Sequence, residues 1–303
     1  MLPRLKRVDG SGARGGRIDV VVPFAGDVVA ARATVVAIAP LAAAPRTESI
    51  TLVDNSREGS ADGLGRDGVE ILRAARLYSS YFARNEGAAQ GRAEWLLFLD
   101  SDCLPPPDLP ARYLDPPPAA GVGIVAGGVR SAPADSKAGR YAGSRGHIDE
   151  GFHIEHGPHP AGVTANLLVR RSAFDEVGGF VADVRSGADV DFCWRVQERG
   201  WELEHRPQAA LEHAHPDDVA RLLAKARRHA AGRAWVNGRW PGALPRPPLA
   251  RPLLRAPLVA AYWALRGDRE RASFKLIDIR LSLASLAGYY WGDNRASGPG
   301  SSR

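Results

Sequence analysis

The stretch Glu94-Trp95-Leu96-Leu97-Phe98-Leu99-Asp100-Ser101-Asp102-Cys103 constrains the fold of this chain more than any other. Its apolar run, residues 95–99, is short and continuous rather than alternating, which marks a strand covered on both faces, as in a parallel α/β sheet. Asp100 and Asp102 follow at once. On an extended chain end, residues two apart project to the same side, so their like charges repel unless a cation lies between them. A hard divalent ion such as Mg2+ or Mn2+, which also takes diphosphate oxygens, suits that arrangement. The plainer use of the pair is an Asx turn ahead of Pro105-Pro106-Pro107. Placement at a strand's carboxyl end favours the site, because open α/β sheets bind ligands there.

The rest of the chain supplies such a sheet. Residues 18–24 form a β-branched strand ending in Pro23-Phe24, followed by an Ala- and Val-rich helix over 28–44 and a second strand, 49–53, running into Asp54-Asn55-Ser56. A strand, helix, strand order crosses over right-handedly and makes a parallel pair. Asp54 therefore stands at a strand end, where a carboxylate accepts from a base N–H or ribose hydroxyls, or simply forms a turn. A less marked strand covers 69–72. A helix opening over Tyr81-Phe82-Ala83-Arg84-Asn85-Glu86 and ending near Arg92 carries Arg84 and Asn85 in its first turn, where free N–H groups and the helix dipole favour an anion. Further strands are expected over 121–129 and 161–170, the latter with Asn166 ahead of Leu167-Leu168-Val169. A short helix over 174–180 is stopped by Gly178-Gly179. Val190, Cys193, Trp194 and Val196 then follow a helical period, with Asp189 at or just before the first turn, either as an N-cap or as a general base held opposite Asp102.

Residues 130–160 are polar, and His147, His153, His156 and His159 invite a zinc reading. They have no cysteine partner and no tight paired spacing, so an ordered loop covering an acceptor is preferred. A strand over 201–205 leads to Leu211-Glu212-His213-Ala214-His215-Pro216. A basic helix over 217–233 follows, with Arg221, Lys225 and Arg228 on one face, either simply solvated or facing a diphosphate or acidic lipid headgroups.

The 303 residues carry a formal charge of +6, which suits an anionic ligand or membrane surface and is no argument for nucleic acid. Two cysteines, Cys103 and Cys193, imply no disulfide framework and point to a reducing cytosol. The expected organisation is a loose basic arm over 1–17, a main domain over 18–240, a Pro-rich linker with two short helices (257–265 and 274–290) over 241–295, and a disordered tail over 296–303. Charges interrupt both helices, so neither spans a bilayer, though the pair suits a membrane surface or another subunit.

Taken in order, the blocks Val20-Val21-Val22-Pro23, Val53-Asp54-Asn55-Ser56, Ala83-Arg84-Asn85-Glu86-Gly87, Phe98-Leu99-Asp100-Ser101-Asp102, Gly178-Gly179-Phe180 and Gly187-Ala188-Asp189-Val190-Asp191-Phe192-Cys193-Trp194-Arg195 resemble a family 2 glycosyltransferase of the GT-A fold over residues 18–235. The fourth and last blocks are also similar to mycofactocin-type glycosyltransferases. The resemblance implies a Rossmann-like, mostly parallel central sheet with a C-terminal helical extension. It also implies inverting, metal-dependent (Mn2+ or Mg2+) sugar transfer from a nucleotide-diphosphate donor. Pro23 and Phe24 would then line the base pocket and Asp54 would contact the base. Arg84, with Asn85 beside it, would meet base or diphosphate, Asp100 ribose or metal, and Asp102 the metal. His213 would reach metal or diphosphate, with His215 as a rival, and Asp189 would deprotonate the acceptor hydroxyl. One departure stands out: the family's usual Glu-Asp is Ala188-Asp189 here, so a carboxylate that often accompanies the base is absent.

Two other functions compete. A sugar-nucleotide nucleotidyltransferase needs a Gly-rich basic loop after the first strand, where this chain has Pro23-Phe24-Ala25-Gly26-Asp27. A non-catalytic binding protein on the same fold draws on Ala188, against the retained Asp100, Asp102 and Asp189. The acceptor is left open among peptide, lipid carrier, glycan and small molecule. The expected location is cytoplasmic, at most peripheral to the inner membrane face.

Overall fold

The computed structural model describes residues 16–145, 157–248 and 251–299. Strands β1 (Ile18–Phe24), β2 (Thr47–Asp54), β3 (Val69–Arg73) and β4 (Trp95–Leu99) pair in parallel, with β1 between β2 and β4 and β3 outside β2. Every residue of β1 and β4 is buried. Val20, Val22 and Phe24 enter one core with Trp95, Leu97 and Leu99, while Val21, Leu96 and Phe98 enter the other. The two-residue period of a strand thus sends a continuous apolar run into two cores, one on each face. Helices α1 (Val28–Ile38) and α3 (Leu109–Leu114) cover the first; α2 (Ser80–Ala88), α5 (Arg171–Glu176) and α6 (Ala188–Glu198) cover the second.

Beyond β4 the sheet changes direction. β7 (Asn166–Arg170) runs antiparallel to β4 and to β6 (Val122–Ser131); β8 (Glu202–His213) lies parallel to β6, and the short β5 (Cys103–Leu104) is antiparallel to the end of β8. The order is β3-β2-β1-β4-β7-β6-β8-β5, mostly parallel as expected. Strand β8 continues eight residues past the expected end at His205, carried through an irregularity. Its register against β6 jumps from Gly127↔Arg206 to Gly128↔Ala210, so residues 207–209 bulge out at Pro207, which has no N–H to give the ladder. Asn166 fills the opening: its Nδ2 donates to the Gly128 and Ala209 carbonyls at 2.8 Å each, and its Oδ1 accepts from the Tyr113 hydroxyl at 2.9 Å. A Cβ at Gly127 would overlap Tyr113, Asn166 and Ala209, so only glycine fits there.

Helix α7 (Val219–Arg239) packs against α9 (Arg269–Trp291), and α8 (Arg251–Leu265) packs on α9. The α7–α9 crossing is close because Gly288 faces the backbone of Arg227, where a Cβ has no room. Asp191, fully buried, ties α6 to α7: it accepts from Arg195 Nε at 2.8 Å, Arg239 Nε at 2.8 Å and Trp240 Nε1 at 3.1 Å. These partners outweigh burial and hold its carboxyl below the usual range.

Several expectations are corrected. The helix read over 28–44 ends at Ile38, and a 3-10 turn, Ala39–Ala43, takes over because Pro40 cannot continue the α-helical ladder. Helix α2 ends at Ala88, short of Arg92, and the chain turns so that Ala93 N–H reaches Asp19. The region 130–160 holds helix α4 (Lys137–Ser144), packed on α7 and α9 through Tyr141, Leu222, Phe274 and Ile277. His147, His153 and His156 lie outside the described residues, whereas His159 bonds Glu198 at 3.0 Å. The two C-terminal helices are longer than expected. Part of the expected tail is anchored: Ser297 O accepts from Tyr78 N and Ala296 N donates to Asp183 O, each at 2.8 Å, and just ahead of it Asn294 O accepts from Arg185 N at 2.8 Å.

Asp19 joins the two layers at the bottom of the sheet. It is 2% exposed and accepts from Ser49 Oγ (2.6 Å), Ala93 N (2.8 Å) and Arg171 Nη2 (2.7 Å). Replacing it leaves a half-buried guanidinium uncompensated, so Asp19→Ala is expected to cost about 3 kcal/mol in urea unfolding at neutral pH. An unchanged midpoint would refute this role.

Candidate active site

Three carboxylates approach the carboxyl end of the sheet from different elements: Asp100 and Asp102 just past β4, and Asp189 in the first turn of α6. Gly187 precedes Asp189 with φ +89°, a left-handed conformation that favours glycine and starts α6 without a side-chain cap. Asp189 is therefore no N-cap. Its Oδ1 accepts from the Tyr81 hydroxyl at 3.0 Å, and that same hydroxyl accepts from Gly187 N at 3.1 Å. Burial raises the Asp189 carboxyl above its ordinary range, against the opposing charge of Arg84 and the Tyr81 hydrogen bond. A carboxylate so placed is a stronger base than one in water.

Arg84 is the cation among these acids. Its side chain is 3% exposed, Nη2 bonds Asp100 Oδ1, and the guanidinium lies 5.4 Å from the centre of the Tyr81 ring. Nε is buried with no partner among the described residues, an N–H left for an incoming anionic oxygen. Burial works to raise Asp100, but Arg84 foremost, then His213, Lys225 and Arg228, hold it below the usual carboxylate range. Lys225 and Arg228 belong to the basic face of α7, which thus faces the carboxylates.

Asp102 differs. It is half exposed, and the recess it occupies, followed by the Asp100 charge, pushes it up, opposed chiefly by His213. The short β5–β8 ladder sets Cys103 opposite His213, and Ala214 N donates to Asp102 O at 2.8 Å. His213 Nδ1 donates to the Ala214 carbonyl at 2.6 Å, which leaves Nε2 as the ring nitrogen facing Asp102 Oδ1, at 3.3 Å. Two acceptors at that separation need a proton or a cation between them, so the donor set suits a divalent ion. Cys103 lies within the same cluster; burial, with the two nearby carboxylates, pushes its thiol well up, and Sγ points to Ala165 O at 3.5 Å. His215 sits behind, its ring centre 6.3 Å from that of His213.

The remaining expected donor residues do not gather here as free groups. Asn85 spends both ends of its amide on the peptide of Phe180, donating to O at 2.8 Å and accepting from N at 3.0 Å, and so positions a turn. Phe24 is 2% exposed with its ring in the core beside Gly26, because the strand period puts it on the same face as Val20 and Val22; Pro23 is buried. Asp54 is 1% exposed and clamps the loop after β2, accepting from Ser56 N (2.9 Å), Ser56 Oγ (2.6 Å) and Ala61 N (3.0 Å). Arg84 lies in the second turn of α2, since Ser79 caps the first by accepting from Tyr81 N and Phe82 N. Tyr81 is the site residue the sequence reading missed. Its signal was the three-residue spacing to Arg84, which puts both on one helix face.

A profile described as glycosyl transferase family 2 matches residues 19–178, and one described as glycosyl transferase family group 2 matches residues 137–291. The pre-mycofactocin glycosyltransferase of Mycobacterium tuberculosis is 30% identical over 166 residues, 52% of this chain and 34% of its own length. Glycosyltransferase AglE of Haloferax volcanii is 29% identical over 162 residues, 51% of this chain and 52% of its own. The match thus spans a third to a half of these relatives. Among solved structures, the mannosyltransferase PcManGT of Pyrobaculum calidifontis, held with GDP-Man and Mn2+, superposes with a TM-score of 0.62 at 17% identity, covering 92% of this chain and 88% of that one. Glucosyl-3-phosphoglycerate synthase of Mycobacterium tuberculosis, held with Mn2+, UDP-Glc and glycerol 3-phosphate, gives 0.52 at 15% identity over 75% and 80%. The likeness shows the GT-A fold that the sequence led one to expect.

The raised Asp189 carboxyl carries a stability signature. Between its unfolded and folded pKa values the native state binds the extra proton, so its contribution favours folding at low pH and is lost as pH rises through that window. Asp189→Asn keeps an acceptor for Tyr81 and removes the charge. It is expected to stabilise the fold at neutral pH by about 1.4 kcal/mol for each unit of elevation, read as a higher thermal midpoint, and to change little below the unfolded Asp value. A variant less stable than the parent at neutral pH would contradict the assigned shift.

Proposed function

The chain belongs to glycosyl transferase family 2, and from that premise we propose that it transfers a sugar, with inversion, from a nucleotide-diphosphate donor to an acceptor hydroxyl. The observation that carries this reading is the pairing of two acceptors, Asp102 and His213, at 3.3 Å beside a separately held carboxylate, Asp189. Asp102 and His213 would hold a divalent cation, with Asp100 toward the ribose or the same ion. When bound, that cation neutralises diphosphate charge and polarises the bond to the leaving group.

The chain's own groups account for the rest. Asp189 accepts the proton of the acceptor hydroxyl as its oxygen forms a bond to the anomeric carbon on the face opposite the departing diphosphate. Tyr81 fixes which Asp189 oxygen is free for that proton. Arg84, Lys225 and Arg228 supply positive charge where the nucleoside diphosphate leaves. Asp54 shapes the loop beside the base, and Pro23 and Phe24 support it through their backbone. The neighbours' GDP-Man and UDP-Glc make nucleotide sugars of both bases the first donors to try.

Two observations bear on the rivals. Asp27 caps α1 by accepting from Ala30 N at 2.8 Å, which puts an acid at the helix terminus a nucleotidyltransferase would offer to a triphosphate. Ala188 is fully buried in the apolar core, so the family's missing glutamate leaves a packed methyl, the one feature favouring a non-catalytic binder. We place the protein on the cytoplasmic side, with α8 and α9 resting against a membrane face. Among the described residues no helix is long and apolar enough to cross a membrane.

Calorimetric titration with UDP-, GDP- and dTDP-sugars, with Mn2+ and with a chelator, tests the assignment. Asp102→Ala is expected to lose the metal-dependent part of donor binding. Asp189→Asn is expected to keep donor affinity and lose transfer by about a thousandfold. Equal donor affinity of Asp102→Ala and the parent with Mn2+ would remove the metal site, and full transfer by Asp189→Asn would remove the base.

A further inference from the structure

A cavity of about 440 Å3 lies where α7, α8 and α9 meet, with Tyr141 of α4 at its edge. Ala256, Val259 and Leu281, with Pro247 and Pro248, make an apolar lining. Against it stand Arg233 and Arg255. The third cation, Lys275, is neutralised in the wall: Asp278 accepts from Lys275 Nζ at 2.9 Å, Arg145 Nη2 at 2.8 Å and the Tyr141 hydroxyl at 2.6 Å. Arg233 and Arg255 make no ion pair among the described residues, and Arg233 only leans on the Pro245 carbonyl at 3.4 Å. A pocket of this size with excess positive charge beside hydrocarbon matches an anionic head on an apolar chain.

Its position connects it to the site. Arg233 lies five residues beyond Arg228 on α7, about 7.5 Å along the helix axis and about 140° around it, so the helix that turns Arg228 toward Asp100 and Asp102 turns Arg233 toward the cavity. On the outer side of α8, Leu254, Leu258, Tyr262 and Leu265 are 70%, 73%, 48% and 90% exposed and recur at helical spacing, while Ala256 and Val259 line the cavity. A surface helix with an apolar stripe and arginines beside it lies in the plane of an anionic lipid surface.

We propose that this cavity binds the phosphate head and first hydrocarbon segment of an anionic amphiphile, presented from a membrane on which the outer face of α8 rests. Neither the proposal nor its binding test depends on the transferase reading. The full chain is titrated with octyl phosphate, octanol and inorganic phosphate, and sedimented with phosphatidylcholine vesicles with and without phosphatidic acid. Octyl phosphate is expected to bind about tenfold or more tighter than either half alone. Arg233→Ala with Arg255→Ala, and separately Val259→Asp, are expected to weaken it by about tenfold or more, while Arg233→Lys keeps most of it. Leu258→Asp is expected to keep octyl phosphate binding and lose sedimentation with the acidic vesicles. Equal affinity for octyl phosphate and inorganic phosphate, or an undiminished double variant that retains the parent's circular dichroism, would overturn the proposal. Sedimentation without octyl phosphate binding would leave only a lipid-surface contact and also overturn it. Donor titration of the same variants reads the other site independently, so loss of nucleotide-sugar binding in the parent chain would count against the transferase reading alone.

Discussion

Arg84 is the charge around which the site is arranged. A buried guanidinium is costly unless paired, and carboxylates gathered in one recess are costly unless a cation lies among them; each solves the other's problem. Arg84 bonds Asp100 directly and its field reaches Asp189. It is delivered by α2, whose cap residue Ser79 also donates its hydroxyl to Val184 O at 2.7 Å, in the loop that leads to Asp189. Residues 294–297 hold both sides of that junction through Asp183, Arg185 and Tyr78. Asp189, Arg84 and their supports therefore come from segments more than a hundred residues apart brought into one hydrogen-bonded unit.

The Asp102–His213 side of the site depends on a different device. The β8 strand reaches His213 opposite Cys103 only because the chain bulges at residues 207–209 and resumes pairing with β6. Asn166 and the absence of a side chain at Gly127 make that bulge fit. The consequence is chemical. Arg84 holds the Asp100 carboxyl below its usual range, while burial and the Asp100 charge push Asp102 up beside His213 Nε2, so the two acids of one short motif sit in different environments.

Helix α7 links the parts. Its basic face supplies Lys225 and Arg228 to the carboxylates, its far end anchors Asp191 through Arg239, and Gly288 of α9 lets that helix approach its backbone closely at Arg227. The C-terminal helices are thus packed against the site helix, with an apolar stripe left outside and a cationic cavity inside.

The sequence by itself determined the sheet and the identity of its acids. A continuous apolar run such as 95–99 is stable only between two cores, and the βαβ order leaves little freedom of topology, so Asp100, Asp102 and their place at a strand end were legible from local pattern. Asp189 was legible as a helix-start acid near the site. The tertiary structure alone decided the rest, because those facts depend on what lies opposite. Asn85 and Asp54, polar residues at strand and helix ends, turned out to be bound to their own backbone surroundings. Phe24 faced the core by strand parity. Tyr81 became the partner of Asp189, and His213 rather than His215 came within reach of Asp102. Local pattern fixes which residues are polar and where chains turn; only packing fixes which polar groups are already satisfied and which are left for a ligand.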